Sequence, residues 1–374
     1  MLRLLLVVII IVHGLIHLLG FVKEWQLAKV PQLTGKTLIP IPGSLARPMG
    51  LLWLIVSCLF IGAMIAFLLK KEWWWLVAAP ALLLSQVLIV LYWQDAKFGT
   101  IANVLLLPIV VVAGAIWNFY GRVDRELQVF LADAGGDKKI VTSAMLTELP
   151  PVVQKWLRRS NVVGKEIIQT VHLRQIGEMK STAAGKWLPM TAEQYCTTDH
   201  PGFLWWARIR ALPLIHIVGR DKYENGHGVM LIKLLGLFKI ADTAGKEIDQ
   251  GALVRYLAET TWYPSAALND YIRWQEIDSL TARATMSYGG TTASGTFRFT
   301  SAADLVSFEA LRYYFRKEGS SLENWFVTVS DDGYREFAGI RIPTKLAVTW
   351  KSKTGDFTWL KLELTEVEFN PVNK

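Results

Sequence analysis

His13 and His17 stand four residues apart in an otherwise apolar run, so both imidazoles share one face of a helix. Polar groups at membrane depth are costly and turn toward protein or a water-filled cavity. A metal, a quinone or a proton relay could use such a pair. A haem held by both histidines is excluded, because axial ligands must approach from opposite sides. Gln86 and Cys58 fall at similar depth in other apolar runs and extend the cluster. The same residues can also serve as hydrogen bonds between helices, which needs no ligand. The expectation is an intramembrane polar site of His13, His17 and Gln86, with no metal assigned.

A second set of reactive side chains lies further along. Asp221, Glu224 and His227 crowd one turn, and Glu247, Asp249, Arg255 and Glu259 follow a helical stretch. Paired carboxylates can do acid–base work, which makes an enzyme acting through Asp221, His227 or Glu259 one reading. Arg255 and Glu259, four apart, can equally pair on a helix surface. His172, His200 and His216 show no ligand spacing. No G-x-G-x-x-G, H-E-x-x-H or G-x-S-x-G motif occurs, and Gly35-Lys36-Thr37 has Val30 where a phosphate-binding loop needs its first glycine. Cys58 and Cys196, the two cysteines, supply neither a disulfide scaffold nor a C-x-x-C zinc site. The sequence therefore assigns no catalytic residue and no cofactor.

The elements that must position these residues fall into two parts. Hydrophobic residues make up 52% of the 374 and charged residues 19%, which rules out a disordered chain. The apolar excess sits in four runs, Leu4–Val22, Met49–Leu69, Trp73–Trp93 and Ile101–Trp117, none with Asp, Glu, Lys or Arg. Each is long enough to cross a hydrocarbon layer of about 30 Å as a helix. Tryptophans gather at their ends, Trp25, Trp73, Trp93 and Trp117 among them, as at a membrane interface. Residues 1–118 read as a four-helix transmembrane module and 119–160 as a helical linker, with helices at Val123–Ala132 and Val152–Arg159. Four spans place both termini on one side of a plasma membrane. The flanking positive charges do not settle which side, although the Met-Leu-Arg start favours a cytoplasmic carboxyl-terminal domain. Beyond residue 118 there is no Lys/Arg block, so nucleic acid is not an expected partner.

Residues 161–374 read as a β-rich domain. Short apolar stretches are punctuated by Glu224-Asn225-Gly226, Gly289-Gly290 and Asp331-Asp332-Gly333, with one helix at about Gly251–Thr260. That pattern argues for an α+β domain, a large curved antiparallel sheet around a helix. Val229–Ile240 is unusual, because as a single strand it is apolar on both faces. An antiparallel sheet normally has one solvated face, so such a strand needs cover on both sides. Phe203–Arg210 is similar, with Trp205 and Trp206 on opposite faces. The predicted apolar wall is Trp205, Met230, Ile232, Leu234 and Phe238, with Trp262 closing one end.

Two stretches of the first part, His13-Gly-Leu-Ile-His17-Leu-Leu-Gly20-Phe21 and Asp95-Ala-Lys97-Phe98-Gly99-Thr100-Ile101-Ala102-Asn103, resemble an uncharacterised bacterial membrane-protein family. The second part resembles it in Arg255-Tyr256-Leu-Ala-Glu259, Trp262-x-Pro264, Trp274-x-x-Ile277-Asp278 and Ser294-Gly295-Thr296-Phe297. The resemblance implies a four-helix membrane module fused to a β-rich domain of unknown function, and it brings no activity. In outline the β-rich half is also similar to the half-barrels of lipoprotein carriers, which implies an apolar concavity for acyl chains. The expected function is binding of a membrane lipid or other apolar ligand beside the bilayer. The alternatives are an enzyme on a membrane-embedded substrate and a partner-docking module presenting an exposed 203–210 strand.

Overall fold

The computed structural model describes residues 2–371 except 137, 214, 317–318 and 353–354. They form two compact units, one running to Gly121 together with Leu235–Leu237, the other comprising Arg122–Leu234 and Phe238 onward.

The first unit is helical. Its elements are α1 (Leu2–Glu24), α2 (Ala46–Leu68), α3 (Trp74–Leu91), the single turn α4 (Trp93–Ala96) and the start of α5 (Gly99–Phe130). Four of these helices, α1, α2, α3 and α5, are long and apolar enough to cross a membrane. Leu5, Leu83 and Val104 are exposed while Val56, Phe60, Ala81 and Leu88 are buried, so apolar side chains cover both the outside and the inside. A helix apolar all round suits a protein core or a membrane span. Gly14 and Gly20 let α1 approach α2: a Cβ on Gly14 would lie 2.9 Å from that of Phe60, and one on Gly20 would strike the Trp53 ring. Small residues at such contacts let two helix backbones approach closely. The apolar run Ile101–Trp117 continues without a break into the helical stretch that follows, as one helix, α5, of 32 residues. Gly121 does not break it, since an interior glycine costs a helix only about 1 kcal/mol.

The second unit opens with α6 (Pro151–Arg159), which starts on a proline and ends on Arg158 and Arg159, cations that suit a helix carboxyl end. α6 buries Val152, Val153, Trp156 and Leu157. Then come β1 (Thr170–Met179), β2 (Leu188–Thr197), β3 (Gly202–Leu212), β4 (Ile215–Glu224), β5 (His227–Leu234) and β6 (Phe238–Ala244). After α7 (Lys246–Glu259) follow β7 (Ile272–Asp278), β8 (Thr281–Tyr288), β9 (Thr291–Phe299), β10 (Leu305–Arg316) and β11 (Gly319–Val329). The small hairpin β12 (Tyr334–Phe337) and β13 (Ile340–Pro343) precedes β14 (Lys345–Ser352) and β15 (Gly355–Phe369).

Thirteen strands make one antiparallel sheet in the order β6-β5-β4-β3-β2-β1-β15-β14-β11-β10-β9-β8-β7. It is a large curved half-barrel, with α7 packed against β5, β9 and β10. Two-residue turns with positive φ at both positions drive two of its hairpins: Asn225 at 52° and Gly226 at 85°, then Gly289 at 56° and Gly290 at 78°. Those angles match the twist of the flanking strands. The two turns meet, for a Cβ on Gly226 would lie 2.6 Å from the Gly289 Cα. α7 is buried on most of its surface, from Asp249 and Gly251 through Tyr256 to Glu259.

Val229–Ile240 is not one strand. The chain reverses at Leu235 (φ 57°) and Gly236 (φ 70°), and Phe238 pairs back onto Leu234. The apparent two-sided strand is thus the tip of a hairpin, and the alternation of faces does not run through it. Residues 337–350 likewise hold more than one strand, with Pro343 ending β13 because it has no N–H for a ladder.

Candidate functional site

A cavity of about 480 Å³ lies in the second unit between α7 and the concave face of the sheet. That size falls in the range of small-molecule sites. α7 contributes Ile248, Gly251, Ala252, Arg255, Ala258 and Glu259, the three- and four-residue spacing of one helix face. Opposite them stand Trp205 of β3, Met230 and Ile232 of β5, Trp325 of β11 and Val348 and Trp350 of β14. The wall is mostly apolar and aromatic.

Its polar residues are organised around Arg255. The guanidinium donates from Nε to Glu259 Oε1 at 2.7 Å, from Nη1 to Asp221 Oδ2 at 3.0 Å and from Nη2 to Gln194 Oε1 at 3.0 Å. It also lies over the Phe203 ring at 4.5 Å and the Trp205 ring at 5.0 Å. Gln194 donates to Glu259 Oε2 at 2.5 Å, Gln175 donates to Gln194 Oε1, and Trp205 donates its indole N–H to Gln175. Burial raises the Asp221 carboxyl above its ordinary value, opposed by Arg255, Arg312 and Arg220. Arg312 lies over the Trp325 ring at 4.9 Å. Burial pushes its guanidinium down to about 10, with repulsion from Arg255 adding to the effect and Asp221 and Glu259 opposing it.

Of the six residues expected to form the apolar wall, Trp205, Met230, Ile232 and Trp262 line this cavity. Leu234 and Phe238 do not, and Phe238 is 63% exposed because it lies past the hairpin turn on the edge strand. Of the acid–base candidates, Asp221 and Glu259 line this chamber and His227 does not. Asp221 and Glu259 share Arg255, while the His227 side chain is 76% exposed and sits 3.6 Å from Asp249. Glu224 pairs with Lys222 at 2.8 Å. The 203–210 strand is central in its arm, paired on both sides by β2 and β4. Gln175, Gln194 and Arg312 were not singled out from the sequence. Arg312 carried a usable signal, because alternation in β10 sets it on the face of buried Phe308 and Ala310.

In the first unit His13, His17 and Gln86 do come together, with Ser85 and Asn103. His17 Nδ1 donates to the His13 carbonyl at 2.7 Å, so its Nε2 accepts from the Ser85 hydroxyl at 2.9 Å. Asn103 donates to Ser85 Oγ and Gln86 Oε1, each at 3.0 Å, and accepts from His13 Nε2 at 2.9 Å. Gln86 donates to Thr100. The network links α1, α3 and α5, and His13 and His17 line a cavity of about 520 Å³. Cys58 is exposed and makes no hydrogen bond in it. Among the described residues no His, Cys, Asp and Glu cluster has the arrangement of a metal site.

The recurring motifs have structural work. Tyr256 donates to the Thr197 carbonyl, Trp274 donates to the Ala267 carbonyl, and Asp278 accepts from the Leu280 N–H in the β7–β8 turn. An antiparallel half-barrel around a helix, with an apolar chamber between them, is the class of domain these features define. The chain belongs to a family of unknown function, DUF6544, which matches residues 139–362. Among solved structures it is similar to a putative outer membrane lipoprotein-sorting protein domain from Vibrio parahaemolyticus, at 10% identity over 60% of this chain and 92% of that one, with a TM-score of 0.32. It is also similar to a LolA superfamily protein from Nitrosomonas europaea, at 8% identity over 59% and 94%, with a TM-score of 0.33. No curated protein matches the sequence.

Proposed function

We propose that this is a membrane protein whose four apolar helices cross the bilayer and whose half-barrel binds a lipid or another apolar ligand beside it. The observation that carries the reading is the chamber of about 480 Å³ under α7, walled mainly by aliphatic and aromatic side chains. An apolar chamber of that size wastes packing contacts unless something fills it. Asp221, Arg255 and Glu259 on its wall are paired with one another, which favours holding a ligand over transforming it. The test uses the full chain, gently extracted and then delipidated. Lipid is expected in the mass spectrum of the gently purified protein, and a fluorescent fatty acid is expected to bind after delipidation. Ile232→Trp, which fills the chamber from β5, should abolish that binding while circular dichroism stays unchanged. Protein that carries no lipid and binds no probe overturns the reading.

A further inference from the structure

We infer that the ligand of this chamber is an amphiphile with an anionic head, a carboxylate or a phosphate, and that Arg312 receives the head. The inference rests on the lipid-binding reading above and adds the chemistry of the ligand to it.

Arg312 stands outside the Arg255 network. It lines the chamber from β10, yet among the described residues it makes no hydrogen bond and no ion pair, only its contact with the Trp325 ring. Both oxygens of Glu259 are already taken, one by Arg255 and one by Gln194, and Asp221 is held by Arg255. Glu247 lines the same chamber but forms no ion pair with Arg312. Arg312 is half-buried, and a cation partly withdrawn from water without a partner is costly, which makes it a natural place for an anion to be met. Burial, with repulsion from Arg255, lowers the pKa of Arg312 even though Asp221 and Glu259 oppose the shift.

One further feature fits an oxygen-rich anion. Lys180 also lines the chamber and, among the described residues, forms no ion pair; its ammonium donates to the Ala183 carbonyl and lies over the Trp187 ring. A planar guanidinium grips a carboxylate or phosphate through two parallel hydrogen bonds. Met230, Ile232, Leu346, Val348, Trp350 and Leu362 provide apolar wall for the chain that follows the head.

The experiment compares palmitate, dioleoyl phosphatidate and neutral hexadecanol on delipidated full-length protein, in the wild type, Arg312→Gln and Arg312→Lys. Palmitate or phosphatidate should bind the wild type more tightly than hexadecanol, and which of the two binds better identifies the source of the head. Arg312→Gln should weaken the anionic probe by at least about tenfold. Hexadecanol should be unaffected, and Arg312→Lys should recover part of the loss. Equal binding of anionic and neutral probes, unmoved by Arg312→Gln, overturns this inference and leaves the chamber reading standing. Failure of all three probes overturns both.

Discussion

Phe308 lies across Gly295 on the neighbouring strand, its ring where a side chain at 295 would stand. The same ring meets Phe297 edge-on at 4.8 Å and Trp325 at 6.1 Å, so it cannot move aside cheaply. Gly295→Ala should therefore destabilise the half-barrel by about 1–3 kcal/mol, the usual cost of overpacking a core. Denaturant unfolding followed by tryptophan fluorescence measures it. Phe308→Leu in the same chain should return part of the loss, since the methyl would then have room.

The Arg255 network makes a second prediction. Arg255→Met strands Asp221 and Glu259 without their shared cation, and breaking a buried pair in this way costs about 3–5 kcal/mol. Asp221→Asn and Glu259→Gln added to that variant should recover much of the stability. Melting curves for the single and triple variants in one detergent decide it. Recovery would show that the charges on this wall are chiefly a balanced set.

Glu193 gives the acid dependence a sign. A hydrogen bond from His172, at 3.3 Å, holds its carboxyl below the ordinary glutamate range, against the effect of burial and with help from Arg174. A depressed folded pKa adds stability above the unfolded value and loses it as pH falls through the folded one. The difference in stability between wild type and Glu193→Gln should thus be greatest near neutral pH and shrink toward zero on acidification. A constant difference across that range would contradict the assignment.

In the helical unit, Ser85 joins His17 to Asn103, and Ser85→Ala removes the hydroxyl on which both depend. Hydrogen bonds between helices in a bilayer are worth about 0.6 kcal/mol on average, with a maximum near 1.7. The variant should lose about that much in detergent-induced unfolding. A much larger loss would mean the network supports more than packing.

The legible parts of the chain were those whose signal is local. The four apolar helices announce themselves by composition, and Asn225-Gly226 and Gly289-Gly290 mark hairpins because few other residues tolerate left-handed backbone. The reversal at Leu235-Gly236 escaped for the same reason, since leucine is an unusual occupant of that region and the flanking residues stay apolar. Misreading it as continuous strand moved Phe238 from an exposed edge into the expected wall. The helix at about 251–260 was found but begins earlier, at Lys246, its first turn carrying Glu247 and Asp249. Ser294-Gly295 was visible as a motif, yet its cause is a phenylalanine thirteen residues on. Arg312 was missed because its meaning depends on which carboxylates are already occupied, and no local pattern records that.

β15 pairs with β1 on one side and β14 on the other, so among the described residues the arm of β1–β6 and the arm ending at β7 are hydrogen-bonded to each other through this one strand. Without it β1 and β14 would each present an unpaired edge, a template for mispairing. The chamber beneath α7 thus hangs on a single joint, and a slip of register there would be felt in both arms at once.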